Sequence, residues 1–284
     1  MKFNIGIIGK GFVGSAVSVG FSASTGFDSK IRSYDKIEHK STHSLEETVN
    51  ESSIIFISVP TPSLKTGQID LSIVESLFED ISRVNKNSEN VFLLRSTVVP
   101  GTSKKIADKF PNLNIVFNPE FLTERSAYFD FINQSRVILG GNQKHTAIVA
   151  KLYKIRFGEY LPVIQTDYQT AEMIKYMNNL FFATKVSFLN EMYQIADKSN
   201  VDWNTAVEGF ILDGRIGHSH LQVPGPDGKF GFGGSCFPKD IQALIAYAKE
   251  IGINPSVLLG AWEKNLDVRP ERDWEALKGR AVSE

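Results

Sequence analysis

Up to about residue 165, short apolar runs alternate with amphipathic stretches. The runs are Asn4–Gly9, Lys30–Asp35, Ser53–Pro60, Val91–Thr97, Asn114–Asn118, Arg136–Gly140 and Leu161–Gln165. They are rich in Ile, Val and Phe, and most show little polar alternation, which is the pattern of strands buried on both faces of a parallel sheet. Between several of them lie helical patterns, such as Asp70–Val84 (Ile73, Val74, Leu77, Phe78, Ile81) and Thr102–Phe110. This alternation predicts an α/β fold with a doubly wound parallel sheet and mostly right-handed crossovers.

The pattern changes after Thr166. Asp167 is placed as an N-cap, and from Tyr168 to about Asn200 there is neither Pro nor Gly. Met173, Ile174, Met177, Leu180, Phe181, Phe188, Leu189, Met192 and Ile195 recur at helical spacing. A helix of roughly 33 residues spans ~50 Å at ~1.5 Å per residue. Its apolar residues occupy more than one face, so it is expected to join domains and to pack against a partner subunit. A loop-rich stretch follows at Asp213–Gly234, then a helix from Pro238 or Lys239 to Glu250. The tail Trp262–Glu284 is charged and reads as peripheral. The expected division is a domain over residues 1–165 and a long connecting helix with a mainly helical domain over residues 166–284.

Composition narrows the function. The chain has 284 residues, 42% hydrophobic and 22% charged, with a formal net charge of −1. Near-neutrality without a basic run argues against nucleic acid and against an anionic membrane surface. A single cysteine, Cys236, excludes an internal disulfide and four-cysteine zinc sites. His39, His43, His145, His218 and His220 show no metal-ligand spacing, so no metal is expected. No apolar stretch reaches the length of a membrane span. The lone cysteine fits a reducing compartment, so the expected location is the cytoplasm; the start at Met1 is expected to leave no room for a targeting segment before the first strand.

Gly9-Lys10-Gly11-Phe12-Val13-Gly14 follows a predicted strand and opens a predicted helix. This is the dinucleotide-binding pattern of a Rossmann-like domain in its required context. The first glycine makes the tight turn, the second admits a pyrophosphate and the third lets helix and strand pack. Asp35 ends the second strand about 20 residues further on, where an acidic residue meets the ribose hydroxyls; a carboxylate there favours NAD.

Phe232-Gly233-Gly234-Ser235-Cys236-Phe237-Pro238-Lys239-Asp240 sets the only thiol just before a helix, where a thiolate is favoured. Lys239 adds positive charge and Asp240 a carboxylate; a buried structural thiol is the alternative. Glu120 and Glu124, Thr97, and Thr61 lie just past strand ends, where ligands collect in open α/β sheets. Ordinary loop capping is the alternative for each. Lys175 and Asn179 share a helix face and suit a developing oxyanion. From residue type alone, a solvated polar face is the stronger reading of that pair.

Taken in order, these motifs resemble the nucleotide-sugar dehydrogenase family of UDP-glucose 6-dehydrogenase and GDP-mannose dehydrogenase. The matching segments are Gly9–Gly14, Val59–Pro62, Ser96–Thr102, Asn118–Glu124, Lys175 with Asn179, Arg215–Gly217 and Gly231–Asp240. The resemblance implies two successive NAD-dependent oxidations of a sugar C6 hydroxyl to a carboxylate, with UDP-glucose or a related nucleotide sugar as substrate. It implies Cys236 as the nucleophile, forming a thiohemiacetal and then a thioester, and Asp240 and Thr97 as residues that hold and help activate water. Glu120 is implied for acid/base work, and Lys175 with Asn179 for the oxyanion, which reverses the weighting above. Asp35 and Lys40 are implied as ribose contacts, and Thr61, Thr97, Glu124 and Lys239 as further cofactor contacts. Glu120, Phe121, Leu122, Lys175, Asn179, Phe232 and Gly233 are implied to contact substrate, together with Arg215 reaching it from the partner of a homodimer. Full members continue into a third, nucleotide-gripping domain, and Leu277–Val282 resembles the beginning of its first strand. Pro224–Gly228 lengthens the loop between Arg215 and Gly231. Two other functions stay open on the residues: a β-hydroxyacid or 6-phosphogluconate-type dehydrogenase, and a non-catalytic NAD-binding module.

Overall fold

The seven predicted apolar runs form the strands of one sheet: β1 (Phe3–Ile8), β2 (Ser29–Tyr34), β3 (Ile54–Ile57), β4 (Val91–Leu94), β5 (Asn114–Phe117), β6 (Val137–Gly141) and β7 (Val163–Thr166). Their order across the sheet is β2-β1-β3-β4-β5-β6-β7. The computed structural model describes residues 3–283. The chain separates into two compact units. The first runs up to Thr61 and again from Leu71 to Lys175; the second takes Pro62–Asp70 and the chain from Tyr176 onward.

The first unit holds the sheet. Its strands alternate side chains between two faces, and helices cover both. Ile5, Ile7, Phe56, Leu93 and Val116 face α1 (Phe12–Gly20), α5 (Ala127–Ile132) and α6 (Gln143–Phe157) through Ala16, Val17, Phe131, Val149 and Tyr153. Ile8, Ile55, Ile57, Phe92, Leu94 and Ile115 face α3 (Ser72–Val84) and α4 (Thr102–Lys109) through Val74, Phe78, Ile81 and Ile106. A short helix, α2 (Leu45–Asn50), begins in a capping box: Ser44 accepts from the Glu47 N–H and the Glu47 carboxylate accepts from the Ser44 N–H. The sheet is mostly parallel, as expected, with one correction: β6 pairs antiparallel with β5 through Val116–Gly141 and Phe117–Gly140, and β7 runs parallel to β6, so these two strands run opposite to β1–β5. The burial that makes a run apolar is the same for either strand direction, so the hydrophobic pattern carries no sign of the reversal.

The long helix, α7 (Tyr168–Lys198), has 31 residues. Asp167 caps it, accepting the Thr170 N–H at 2.8 Å. That bond, with the Thr170 hydroxyl, holds the Asp167 carboxyl below its ordinary value. The second unit adds α8 (Trp203–Ile211), α9 (Phe237–Glu250) and α10 (Ser256–Val268). Leu189, Leu221 and Val223 form an apolar centre with Tyr193, Trp203, Ile211 and Ile216 against it.

The tail is not peripheral. Asn265, Arg269 and Trp274 are buried, and Trp274 packs on Trp262 with ring centroids 5.3 Å apart. Its charges misled the reading because Arg269 is turned inward. Leu277–Val282 forms a turn in place of a strand: the Ser63 N–H donates to the Ala281 carbonyl at 2.9 Å, and the Ser283 N–H to the Ser63 carbonyl at 2.8 Å. Glu284 lies outside the described residues. Among the described residues no helix is long and apolar enough to cross a membrane.

Candidate active site

In the first unit the glycine loop sits between β1 and α1. Gly9 has φ +84°, and an added Cβ there would strike the Ser58 carbonyl. At Gly14 a Cβ would strike the carbonyl of Gly9. Gly11 differs: a Cβ would meet nothing, so the backbone faces open space there. Gly11 is also the N-cap of α1, and no side chain caps it. Phe12 and Val13 begin the helix, so its first N–H groups and positive dipole end point at this space. Open backbone at the second glycine is what a pyrophosphate requires, and the loop fits a dinucleotide. Asp35 braces it, one carboxylate oxygen accepting the Lys10 N–H at 2.6 Å and the other the Ile37 N–H at 2.9 Å. Lys40 lies in the short turn Glu38–Lys40 just beyond.

At neighbouring strand ends, the buried Thr61 hydroxyl donates to the Thr97 carbonyl at 2.9 Å. The turn after Thr97 is held by Glu172, which is fully buried on α7 and accepts the Gly101 and Ser103 N–H groups at 2.6 and 2.7 Å. Burial raises the Glu172 carboxyl above its ordinary value, against the pull of those donors. Sequence reasoning missed Glu172, whose partners are about 70 residues away and leave no local signal.

Beyond β5, Glu120 and Lys175 form a buried ion pair. The ammonium donates to the Glu120 carboxylate at 2.9 Å and to its carbonyl at 2.5 Å. The side chains are 8% and 4% exposed, which overturns the reading of Lys175 as part of a solvated face. The other Glu120 oxygen accepts the Leu122 N–H at 2.7 Å, fixing the bend of the loop. Phe121 lies under two cations, with the Arg136 guanidinium 4.3 Å and the Lys175 ammonium 5.5 Å from its ring centre. A cavity of about 240 Å³ opens beside Glu120, Phe121 and Leu122, with Arg95 and Arg136 also in its wall. Glu124 begins a short turn before α5 and is not in that wall.

In the second unit Cys236 is the N-cap of α9 and is half-buried. Asp240, one turn into the helix, is 1% exposed. One of its oxygens accepts the Asn179 amide at 2.6 Å and the other the Lys239 ammonium at 2.6 Å. Asn179 is therefore buried against a carboxylate, and the solvated reading fails for it as well. Phe232 is buried and Gly233 lies beside it in the loop before the thiol. Arg215 is exposed and forks onto its neighbour Asp213, with Nε 2.9 Å from Oδ1. That pairing raises the Arg215 guanidinium's pKa.

The segment leading to the thiol is tied down by side chains that sequence reasoning did not select. Asn190 of α7 accepts the Gly231 N–H at 3.0 Å. Asn265 of α10 accepts the Phe232 N–H at 2.7 Å and donates to the Phe232 carbonyl at 3.0 Å. Arg269 donates to the Phe230 carbonyl at 3.2 Å, to Asp227 at 2.7 Å and to Asp273 at 2.6 Å. Asp273 in turn accepts the Gly234 N–H at 3.3 Å. The lengthened loop Pro224–Gly228 thus turns its carboxylate inward, onto Arg269. Burial pushes the Asp227 and Asp273 carboxyls up, but Arg269 outweighs it and holds both below their ordinary value.

Comparison with known proteins places these features. The NAD binding domain of the UDP-glucose/GDP-mannose dehydrogenase family matches residues 26–156, and the family's central domain matches residues 169–267. The UDP-glucose 6-dehydrogenase TuaD of Bacillus subtilis is 38% identical over 219 residues, covering 74% of this chain and 46% of that protein. The UDP-glucose 6-dehydrogenase of Rickettsia bellii is 36% identical over 242 residues, covering 82% of this chain and 54% of that protein. Among solved structures, a UDP-glucose dehydrogenase from Pyrobaculum islandicum superposes with TM-score 0.82 at 27% identity, over 98% of this chain and 71% of that one. A 3-hydroxyisobutyrate dehydrogenase of Mycobacterium tuberculosis, 16% identical, shares the fold with TM-score 0.73, over 96% of this chain and 95% of that one. The chain spans about half the length of the two curated dehydrogenases. With an open glycine loop of the kind NAD requires and both domain signatures in order, the chain belongs to the UDP-glucose/GDP-mannose dehydrogenase family.

Proposed function

We infer that the protein is an NAD-dependent nucleotide-sugar 6-dehydrogenase, oxidising the C6 hydroxyl of UDP-glucose or a related nucleotide sugar to a carboxylate. The reading is carried by one observation: the only thiol stands at the N-cap position of a helix whose first turn holds Asp240, buried between Asn179 and Lys239. The glycine loop would hold NAD, which would supply the hydride acceptor for each of the two oxidations.

Cys236 adds to the C6 aldehyde and holds it as a thiohemiacetal, so the intermediate does not escape. Loss of the second hydride leaves a thioester, which water cleaves to the carboxylate and the free thiol. Thr97 and Asp240 hold and orient that water, and Glu120 moves its proton. Lys175 and Asn179 stabilise the oxyanions that develop on the way. Asp35 and Lys40 meet the cofactor's ribose, and Thr61, Glu124 and Lys239 contact it further. Phe121, Leu122, Phe232 and Gly233 line the sugar nucleotide's path. On this reading residues 1–165 carry the cofactor and residues 166–284 carry the thiol.

A homodimer is part of the same reading. Met177, Phe181, Phe188 and Ile195 are exposed along α7 at spacings of 4, 7 and 7 residues, a stripe suited to a second copy. Arg215 then reaches the partner's substrate after releasing Asp213. Light scattering at micromolar concentration gives a two-chain mass for the native protein and a one-chain mass for Phe181→Glu; a native monomer sinks the dimer.

The decisive assay uses the full chain with NAD and a panel of UDP-glucose, GDP-mannose and N-acetylated UDP-sugars. The expected yield is two NADH per sugar, collapsing in Cys236→Ala. Turnover that survives Cys236→Ala points to a β-hydroxyacid-type enzyme. NAD binding by calorimetry with no sugar-nucleotide turnover points to a binding module.

A further inference from the structure

The thiol stands at the end of the loosest kind of backbone. Gly231, Gly233 and Gly234 lie within five residues before it, and Gly231 and Gly234 have φ of +66° and +71°. Glycine has the most conformational freedom to lose, so such a segment does not place a reacting atom by itself. A reacting group has to be held to about 0.5 Å, and rigid elements do this better than loops.

Here the rigid element is α10. Asn265 is fully buried and uses both ends of its amide on the backbone of one residue, Phe232, as a paired strand would. One turn further, Arg269 is 2% exposed and spreads its guanidinium over three acceptors: the Phe230 carbonyl, Asp227 and Asp273. Asp273 passes the hold on to the Gly234 N–H. The fit is close enough that a Cβ on Gly231 would collide with Asn265, and one on Gly233 with Arg269 and Asp273. Every residue from Phe230 to Gly234 therefore either bonds to this set or is packed against it. On the far side of the thiol, α9 begins at Phe237.

We propose that Asn265 and Arg269 are positioning residues for Cys236, clamping residues 230–234 so that the sulfur is presented at the first turn of α9. Arg269 also makes the clamp answer to the lengthened loop, because Asp227 of that loop completes its coordination. The catalytic meaning of the clamp rests on Cys236 being the nucleophile, so the test reads the thiol directly and needs no substrate.

Cys236 is the chain's single cysteine, so alkylation by iodoacetamide reports one site. The rate is followed from neutral to alkaline pH in the full chain. Titratable and charged groups on the loop, the helix start and the elements packed on them include Lys239 and Asp240 from α9, Arg269 at the end of α10, Asp273 beyond it, Asp227 from the long loop, and His220, whose ring lies 5.5 Å from that of Phe237. Asn265→Ala and Arg269→Met are expected to slow alkylation at neutral pH by about 10-fold and to move the midpoint of the profile. Arg269→Lys does not restore it, because a single ammonium cannot reproduce the planar fork. Asp227→Asn, which alters only a partly exposed partner, shifts the profile in the same direction by less. Unchanged rate and midpoint in folded Asn265→Ala and Arg269→Met overturn the proposal; a lower melting temperature alone marks ordinary packing. Where those two fail to fold, Asp227→Asn decides, and a native profile there overturns it. Loss of sugar-nucleotide turnover with a native alkylation profile counts against the clamp and leaves the dehydrogenase reading standing.

Discussion

Two glycine-rich segments, Gly9–Gly14 and Gly231–Gly234, are stiffened by different means. The first is braced mainly by backbone packed directly against it, with one carboxylate added. The Ser58 carbonyl closes on Gly9, the Gly9 carbonyl closes on Gly14, and Asp35 takes the Lys10 N–H. The middle of that loop stays open. The second is pinned by side chains 33 to 41 residues away in sequence, from α7, α10 and the tail. A loop that binds phosphate must leave its amides unspent. A loop that presents a side chain can spend all of them.

That contrast can be broken or sharpened by substitution. The largest effect is expected at Gly14, where the obstruction is backbone and cannot yield. Gly14→Val is expected to cost at least about 3 kcal/mol, read as a fall in denaturant midpoint. At Gly233 the obstruction is the far end of Arg269 and Asp273, which can shift, so Gly233→Ala costs about 1 kcal/mol and slows alkylation of Cys236. Equal losses at the two sites would erase the distinction.

Acid sets the second segment apart from the turn that Glu172 holds in the first unit. The depressed Asp227 and Asp273 carboxyls contribute stability that is present above their unfolded value of 3.8 and lost as pH falls through the still lower folded values. The raised Glu172 works in the opposite sense: its contribution is present below 4.5 and lost as pH rises through its folded value. Stability curves against pH should therefore lose part of their acid limb, about 1 kcal/mol, in Asp273→Asn and none of it in Glu172→Gln. The smallest stability change is expected at Gly11. A methyl group there meets nothing, so Gly11→Ala keeps the native melting temperature while weakening NAD binding about 10-fold in calorimetry.

What could be read in advance follows the same line. The seven strands were legible because helices cover the sheet on both faces, which leaves apolar runs such as Ile54–Ile57. The glycine loop was legible because its spacing, the preceding strand and Asp35 are all near one another in sequence. The reversal of β6 and β7 was not, since burial does not record direction. Helix α6 was not singled out: Lys144, Lys151, Lys154 and Arg156 interrupt its apolar residues, yet Val149, Leu152 and Tyr153 are buried. Lys175 and Asn179 were singled out together by their spacing, but the contacts they make, with Glu120 and Asp240, lie 55 and 61 residues away and follow from the fold alone. Arg269 was read as surface charge because a sequence does not say which charges are paired inside.

The path of the chain between the two units has a consequence for how such a protein can be taken apart. The second unit contains Pro62–Asp70, an excursion out of the first, and Ser63 in that excursion bonds to Ala281 and Ser283. The chain thus passes from one unit to the other three times, the last time inside α7 with no linker. No single cut yields two intact pieces: residues from 176 onward lack the strand-like segment that ties down their own tail, and residues up to 175 carry it without a partner. The units are not exchangeable cassettes, and recombination at one point between relatives is expected to produce chains that fold poorly on both sides of the joint.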